Sequence, residues 1–410
     1  HGGEYGFNIY NFYLTRYPDQ KINFYNCGVG GDTASGALRR LNEDLFSHKP
    51  NQITIMFGMN DVGIGLYNAN PTEKDIAAQQ SRIVAYKKNF DILFKKLLAE
   101  CPAKITIITP SIYDDTGIND KNNNHVNANS GLAACSEFLK TYAAQNNAAL
   151  VEFNAPMYKY NVQQKLDPKF TIVGPDRVHP RSPGHLMMAW LFLKAQGVSP
   201  TVSNVVIDAK AKQVCKCENA ICSELTIDGK TVSFTLLEKS LPLPIDQACS
   251  KLIQTLPIVE DLNQEIVQIA NLPGGNYTLC IDAITVGQFS SSELGKGINL
   301  SMNPKAPQYK QSQEVFKLSS KRHMAELILR EFACVRWYLQ LFRINIDDLA
   351  GVKTFYETKM PDGYFKTLMP RYLERWDKRA EYVSDFEKWD RETRKAAKPI
   401  AHQYKLTPAQ

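Results

Sequence analysis

The sequence lacks a membrane-spanning segment and a surplus of charge. No apolar run among its 410 residues reaches the roughly 18–20 residues that a helix needs to cross a bilayer. Its 48 basic residues are nearly balanced by 42 acidic ones and form no concentrated basic stripe, which argues against a nucleic-acid partner. A hydrophobic share of 44% with 22% charged residues is typical of a soluble globular protein, and the length predicts two or three packed units.

The nine cysteines lack the companions that a zinc site requires. Five of them crowd into one stretch: Cys215, Cys217, Cys222, Cys249 and Cys280. No second pair and no nearby histidine completes four ligands, so zinc is disfavoured. Disulfides of an exported protein are the favoured interpretation, with buried thiols as the alternative. The sequence also begins with His1 rather than methionine, so we expect a processed or incomplete chain, secreted or periplasmic, whose signal peptide lies outside this sequence.

The first half of the chain alternates between helical and strand patterns. The predicted order is helix 4–17, strand 22–25, a helix through Leu38, Leu41 and Leu45 capped by Asp32 or Thr33, strand 53–57, helix 75–99, strand 105–109, helix 131–145, strand 150–153 and helix 184–195. This alternation predicts a doubly wound, flavodoxin-like α/β fold, with a parallel sheet between two layers of helices. Such folds normally open on a strand, whereas this pattern opens on a helix, so a first strand is missing from it.

The pattern changes after the first 199 residues. Short β-rich runs separated by turn residues fill residues 200–303, which predicts a small β-rich accessory domain containing the cysteine cluster. Residues 304–410 are predicted to be helical, with one helix capped by Ser319 or Ser320 and a last helix that buries an aromatic stripe. We therefore predict three domains: 1–199, 200–303 and 304–410.

Two polar clusters directly follow predicted strands, where a parallel sheet carries its functional loops. The first is the glycine-rich loop 26–33, NCGVGGDT, in which glycine lets a backbone N–H approach a ligand closely and the following helix start favours negative charge. The second is Gly58-Met59-Asn60-Asp61, where the Asn60 amide is suited to donate a hydrogen bond to a developing oxyanion. Taken alone, each cluster suits a packing turn equally well.

The third cluster contains Asp176 and His179, three residues apart on one predicted loop. A histidine that acts as a general base needs a carboxylate at its Nδ1–H to hold the tautomer and to stabilise the imidazolium. The alternative is an aspartate that caps a turn beside a surface histidine. His125 has no such neighbour and is interpreted as a surface histidine, and His185 as the start of a core helix.

Together, in this order, the three clusters resemble those of the SGNH hydrolases, also called the GDSL esterase/lipase family, over residues 1–198. That family has four blocks: Gly-Asp-Ser on the first strand, a glycine turn, Gly-x-Asn-Asp and Asp-x-x-His. The last three match here. The resemblance implies that Gly31 supplies a backbone donor and Asn60 a side-chain donor of an oxyanion hole. It also implies that His179 is the base and Asp176 its orienting partner, with no metal or organic cofactor.

The first block of the family is absent. The 410 residues contain neither Gly-Asp-Ser nor the Gly-x-Ser-x-Gly elbow of other hydrolases. In the family this block lies on the strand that precedes the first helix, so we expect the nucleophilic serine to lie upstream of His1. The alternative nucleophile is Thr33, because Gly31-Asp32-Thr33 resembles Gly-Asp-Ser, but that assignment leaves the glycine block without a counterpart.

The function predicted from the resemblance is that of a serine ester hydrolase, inactive over these 410 residues alone because the nucleophile is absent. The family spans lipases, thioesterases and carbohydrate acetylesterases. The expected substrate is a small-molecule or glycan ester, and the β-rich domain and the predicted export favour acyl groups on extracellular glycans. The interpretation is a carbohydrate acetylesterase or a lipase-like esterase. The alternative function is a catalytically dead SGNH-like module that binds a glycan or an acyl ligand.

Overall fold

The computed structural model describes residues 3–117, 124–164, 167 and 169–409. Contacts divide this chain into two units, each of which gathers separate stretches of the sequence. The first unit comprises the described residues up to 5, residues 25–196 and residues 330–376; the remaining stretches, 6–24, 197–329 and 377–410, form the second. The division into the three domains 1–199, 200–303 and 304–410 stays a prediction.

Helices and strands occur in both units. The helices are α1 Glu4–Arg16, α2 Ala34–Ala37, α3 Leu41–Asp44, α4 Glu73–Glu100, α5 Ala128–Gln145, α6 Asn154–Gln163, α7 Ser182–Ala195, α8 Ser250–Thr255, α9 Ile258–Leu262, α10 Ser291–Lys296, α11 Pro307–Leu341, α12 Leu349–Thr358, α13 Tyr364–Glu374 and α14 Arg379–Ala396. The strands are β1 Gln52–Ile55, β2 Lys104–Ile108, β3 Ala149–Val151, β4 Thr201–Asp208, β5 Gln213–Glu218, β6 Ala220–Asp228, β7 Thr231–Glu238, β8 Gln264–Ala270, β9 Asn276–Ile281, β10 Ile284–Ser290, β11 Ile298–Asn299 and β12 Ala401–Pro408.

The first unit is built on a parallel sheet in the order β1-β2-β3. Ile53 and Ile55 of β1 and Ile105 and Ile107 of β2 are buried, so these strands contribute apolar side chains to the core. The helix α4 begins at Thr72, whose side chain forms a capping box with Asp75. Its buried aromatic residues pack with those of α5 in the same core: Tyr86, Phe90, Phe94 and Tyr142. The predicted α/β fold with a parallel sheet is confirmed.

The strand predicted over residues 22–25 is wrong. Residues 21–29 have no regular secondary structure. In the sheet β1 pairs with β2, and no strand among the described residues pairs with the other edge of β1. An apolar run becomes a strand only where a neighbouring strand accepts its backbone hydrogen bonds, and 22–25 has no such neighbour within the described part of the chain. The helix predicted through Leu38, Leu41 and Leu45 is also divided, into α2 and α3.

The second unit contains two sheets, one in the order β10-β9-β12-β7-β6 and the other in the order β11-β8-β4-β5. Their buried residues form one apolar core, which includes Val205, Val232, Val267 and Leu279. The β-rich texture predicted for residues 200–303 is confirmed by these strands. The strand β12, near the end of the chain, pairs with both β7 and β9, so the stretch 304–410 is not wholly helical.

Three further predictions for the second half need correction. The helix expected to start at Ser319 or Ser320 starts at Pro307, and both hydroxyls instead bond to the carbonyl oxygen of Phe316 within α11. The single last helix is two helices, α13 and α14. All nine cysteines are free, so the expected disulfides are not formed; four of the thiols are buried, as in the alternative interpretation.

The described residues bear on metal binding and on membrane crossing. Within the described residues, no group of three or more histidine, cysteine, aspartate or glutamate side chains is arranged to hold a metal ion. Of the helices in that part of the chain, none combines the length and the apolar character that crossing a membrane requires.

Candidate active site

The glycine loop 26–33 leads directly into α2. Gly31 has a φ of +75°, in the left-handed region that favours glycine, and lies exposed at the turn. Thr33 ends the loop as the N-cap of α2, where its side-chain oxygen accepts a hydrogen bond from the Gly36 N–H at 3.2 Å. The loop therefore exposes Gly31 to solvent just before the start of α2.

Asn60 is joined to the glycine loop by a hydrogen bond. Its Nδ2 donates to the carbonyl oxygen of Asp32 at 2.9 Å, while the residue itself remains exposed. The Asn60 side chain and the Gly31 peptide, which are 29 positions apart in sequence, thus lie on one surface. The structure brings together these two predicted donors.

Asp61, which follows Asn60, connects the loop after β1 with the start of α2. The residue is buried, and its carboxylate accepts hydrogen bonds from the N–H groups of Gly58 and Ala34, both at 3.1 Å. Burial raises the pKa of Asp61 to about 6, although these two hydrogen bonds act to lower it. Sequence reasoning gave Asp61 no role, and its place beside Asn60 in the third family block was the available signal.

Asp176 and His179 form the carboxylate–imidazole pair that the sequence predicts. The Asp176 Oδ2 lies 2.6 Å from Nδ1 of His179, and Oδ1 accepts hydrogen bonds from the N–H groups of Val178 and His179 at 3.1 and 3.0 Å. Partial burial raises the pKa of Asp176, but these hydrogen bonds outweigh it and lower the pKa below its ordinary value. The carboxylate is therefore ionised and suited to stabilise an imidazolium.

Arg177 anchors the loop that contains this pair. It adopts a φ of +66°, is buried, and donates from Nη1 to the carbonyl oxygen of Asp114 at 2.9 Å. The Asp114 N–H in turn donates to the Arg177 carbonyl oxygen at 2.9 Å. Asp114 belongs to the segment that leaves β2, the neighbour of β1. Sequence reasoning missed Arg177, and its position between Asp176 and His179 was the only local signal.

The convergence of the two pairs, Gly31 with Asn60 and Asp176 with His179, on one pocket stays a prediction. Two observations support it. The Asn60 loop follows β1 and the loop of Asp176 is anchored to the segment after β2, and these parallel strands end at the same edge of the sheet. Val178, next to His179, packs on the same core as Met59, next to Asn60.

The remaining candidate residues have structural roles in this geometry. The Thr33 hydroxyl caps α2 and lies 3.1 Å from the Ser35 hydroxyl. His125 is half-buried, with its ring 5.9 Å from that of Tyr113. His185 is buried in the first turns of α7, with Nε2 3.1 Å from a carboxylate oxygen of Glu4, as expected for a core helix.

Three comparisons show which known proteins this chain is similar to. The sequence profile of the GDSL-like lipase/acylhydrolase family matches residues 2–187. An acetylxylan esterase of Geobacillus stearothermophilus is 25% identical over 183 residues, which are 44% of this chain and 75% of that protein. The solved structure of a gut microbial diltiazem-metabolizing enzyme superposes with a TM-score of 0.89 and 29% identity, over 100% of this chain and 95% of that one.

Proposed function

Since residues 2–187 form a GDSL-like lipase/acylhydrolase domain of an ester hydrolase, we propose that the protein cleaves short acyl esters through an acyl-serine intermediate. The single observation that supports this best is the hydrogen bond of His179 with Asp176 at 2.6 Å. Their loop is anchored to the segment after β2, and Asn60 follows the neighbouring strand β1. A base with its orienting carboxylate and a pair of hydrogen-bond donors are the parts that acyl transfer requires.

In the proposed mechanism the serine oxygen attacks the ester carbonyl carbon while its proton passes to Nε2 of His179. Asp176, bonded at Nδ1, stabilises the imidazolium that forms. The tetrahedral intermediate collapses, the C–O bond to the alcohol breaks, and the alcohol takes the proton from His179. A water molecule then attacks the acyl-serine, giving up a proton to His179, and the carboxylic acid leaves as the serine recovers its proton.

The oxyanion of each tetrahedral intermediate is assigned to Gly31 and Asn60. The Asn60 amide has two N–H donors, so one can remain on the Asp32 carbonyl oxygen while the other faces the substrate. That hydrogen bond holds the amide in place before substrate arrives, which favours the transition state over the ground state. The loss of one such donor typically costs about 2.7–4 kcal/mol of activation free energy.

The proposal assigns the nucleophile to a serine that is not among the 410 residues and that lies on a strand paired with the free edge of β1. The support is the absence of the family's first block from the sequence, together with the unpartnered edge of β1 among the described residues. The 410 residues alone are accordingly expected to be inactive.

For the substrate we propose an acetyl or similarly short acyl group on a carbohydrate or small-molecule alcohol. The support is in the names of the two relatives, which refer to acetylxylan and to diltiazem and so differ widely in the molecule acted on. Export remains part of the proposal for the carbohydrate case, because a polymeric glycan does not enter the cytoplasm. Cell fractionation of the natural host tests that part.

The test uses the full-length natural protein beside a chain of residues 1–410. We expect the full-length protein to be labelled by a fluorophosphonate on a serine that precedes His1, and to hydrolyse acetylated xylan or diltiazem faster than a long-chain ester. The chain 1–410 should show neither reaction.

Several outcomes would contradict the proposal. A label on Thr33, or activity of the chain 1–410, would show that the nucleophile lies within these residues. A full-length protein that is neither labelled nor active, yet binds acetylated xylan, would establish the alternative of a catalytically dead binding module.

A further inference from the structure

The carbonyl oxygens of the glycine loop are held by an arginine from a distant part of the chain. Arg330 of α11, in the same unit, donates from Nε to the Gly28 carbonyl oxygen at 3.1 Å and from Nη2 to the Cys27 carbonyl oxygen at 2.9 Å. The same guanidinium forms a bidentate ion pair with Asp44, and its side chain is 12% exposed. The three nitrogens of one planar guanidinium thus form four hydrogen bonds, two to carbonyl oxygens and two to the Asp44 carboxylate, an arrangement that lysine cannot reproduce.

These contacts fix the loop on one side of Gly31, and Asn60 fixes it on the other. Arg330 binds the peptide oxygen of Gly28 and shares that of Cys27 with Arg40, whose Nη1 lies 2.5 Å from it. Asn60 binds the peptide oxygen of Asp32. The stretch that contains Gly31 is therefore held at both ends. Because the direction of the Gly31 N–H follows from these peptide planes, a rotation at Cys27 or Gly28 would move the donor away from an oxyanion.

A tyrosine from the same C-terminal stretch lies directly on the loop. A β-carbon placed on Gly30 would stand 2.7 Å from Cζ and 3.0 Å from Oη of Tyr364, so the ring can approach only because residue 30 is glycine. Tyr364 is 45% exposed, which leaves about half of the side chain open to a bound molecule beside Gly31. Burial of the other half raises the pKa of its hydroxyl, so the side chain is a neutral phenol at neutral pH.

The position of Tyr364 is supported by a rigid neighbour. The ring of Phe365 stacks on that of Tyr338 in α11, with centroids 4.2 Å apart and planes inclined by 12°. Gly363, with a φ of +148°, allows the sharp entry into α13 just before Tyr364. Tyr338 is on the helix that also carries Arg330, so one helix positions both residues.

From these contacts we propose that two residues of the C-terminal stretch, Arg330 and Tyr364, act at the esterase site. Arg330 is a positioning residue that holds the Gly31 N–H for the oxyanion, and Tyr364 is a specificity residue that closes the space beside Gly31 and restricts the acyl group to short chains. The inference rests on the proposed function. It goes beyond that function because it gives roles to residues of the C-terminal half, whereas the acetylxylan esterase relative aligns with only 44% of this chain.

The first arm of the test measures Arg330 variants of the full-length protein. Arg330→Met should lower kcat by about 10²-fold with KM within about twofold, because the misplaced donor acts only in the transition state. Arg330→Lys should recover only a part of that loss, since its single charge cannot hold both carbonyl oxygens. Arg336→Met on the same helix, which removes a surface ion pair with Asp347, is the matched control and should leave kcat unchanged.

A second readout does not depend on hydrolysis. In Arg330→Met, hydrogen–deuterium exchange of the backbone amides at 28–32 should accelerate. Unchanged exchange in α4 of that variant shows that its fold is intact, and the thermal midpoint of Arg330→Lys gives the same control for the conservative variant. Unchanged exchange of these amides would overturn the positioning role even if the wild type hydrolysed no ester, an outcome that would separately overturn the proposed function. Equal losses of kcat in Arg330→Met and Arg336→Met would also overturn it.

The third arm tests Tyr364 by acyl length. Tyr364→Ala should raise the ratio of kcat/KM for a hexanoyl ester to that for an acetyl ester by about tenfold or more, since a few methylene groups in an apolar space are worth this much. Tyr364→Phe keeps the ring and should keep the wild-type ratio. An unchanged ratio in Tyr364→Ala, or no ester hydrolysis by the wild type, would overturn the specificity role.

Discussion

The glycine loop of the first unit and the β-sheets of the second both bury charged side chains, but they treat them differently. Beside the loop, Arg330 lies against Asp44, and burial, which raises the pKa of Asp44, is outweighed by the neighbouring guanidinium groups, which lower it. In the second unit Glu238 and Glu265 are 3% and 0% exposed and form no salt bridge with any residue that the structure describes.

The two glutamates of the second unit occupy one neighbourhood. Ser203 of β4 is the register partner of Glu265 of β8, and its hydroxyl donates to Oε1 of Glu238 at 2.5 Å. Burial raises the pKa of Glu238 to about 7. Burial first, and then the charge of Glu238, raises the pKa of Glu265 well above its ordinary value. The protonated forms are favoured because a buried carboxylate without a cation is costly.

The difference teaches that pH should act on the two regions unequally. The contact of Arg330 with Asp44 is an ionised pair that persists from mild acid to alkaline pH, so this contact should be insensitive to pH in that range. The sheets are most stable with their carboxyl groups protonated, so they should weaken as the pH rises. The ion pair beside the loop thus bears on the proposed site, whereas the buried carboxyl groups of the second unit bear on its stability.

The largest effect that would test this comparison is on catalysis. Asp176→Asn removes the charge that orients His179, and we expect kcat of the full-length protein for a short acyl ester to fall by about 10²–10⁴-fold. The pair is largely exposed, so the thermal midpoint should hardly change. Steady-state kinetics and thermal unfolding measure the two quantities.

His125→Asn is the control for that substitution, because His125 is half-buried and has no predicted catalytic role. It should leave kcat within about twofold of the wild type. If kcat falls equally in His125→Asn and Asp176→Asn, or falls in neither variant, the Asp176 carboxylate does not have the proposed catalytic role.

A smaller effect is expected on stability in the second unit. Since the pKa of Glu238 is raised in the folded state, its stabilising contribution is fully present below the unfolded value of 4.5 and is lost as the pH rises through about 7. The free energy of unfolding should therefore fall between pH 5 and pH 8, by on the order of 3 kcal/mol from Glu238. Glu238→Gln should flatten this dependence and raise stability at pH 8, as urea unfolding at both pH values would reveal.

The matched control for that experiment is Glu218→Gln, at an exposed position of β5. It should keep the wild-type dependence of the unfolding free energy on pH. If Glu238→Gln shows the same slope as Glu218→Gln, the buried carboxyl group is not the source of the pH sensitivity, and the contrast between the two regions fails.

The smallest effect compares one helix cap in each unit. Thr33 caps α2 and Ser290 caps α10, where the Ser290 side chain accepts a hydrogen bond from the Glu293 N–H at 3.2 Å. Each substitution by alanine should lower the free energy of unfolding by about 1 kcal/mol. Thr33→Ala should retain fluorophosphonate labelling of the full-length protein. Lost labelling in Thr33→Ala but not in Ser290→Ala would identify Thr33 as the nucleophile.

Several parts of the fold could be predicted because their signals are local. The helices α4, α5 and α7 repeat apolar residues at helical spacing, and β1 to β3 are short apolar runs beside turn residues. The Asp176–His179 pair was predictable for the same reason, since three residues of one loop contain both groups and the backbone donors that hold them.

Other parts could not be predicted because their partners are remote. Residues 22–25 have the composition of a strand, but no strand lies beside them among the residues that the structure describes. The strand β12 exists because β7 and β9 lie on either side of it, more than a hundred residues away in sequence. No local pattern marks Tyr364 as a neighbour of Gly30.

The sequence by itself determined which chemical groups are available and on which loops they lie: a glycine turn, an amide after β1 and an aspartate–histidine pair. These depend on residue type and short spacing, which the chain specifies directly. Only the tertiary structure decided that Asn60 bonds to the glycine loop and that Arg330 binds its carbonyl oxygens across 302 positions. Such contacts depend on which surfaces pack together, and packing is settled by the whole chain at once.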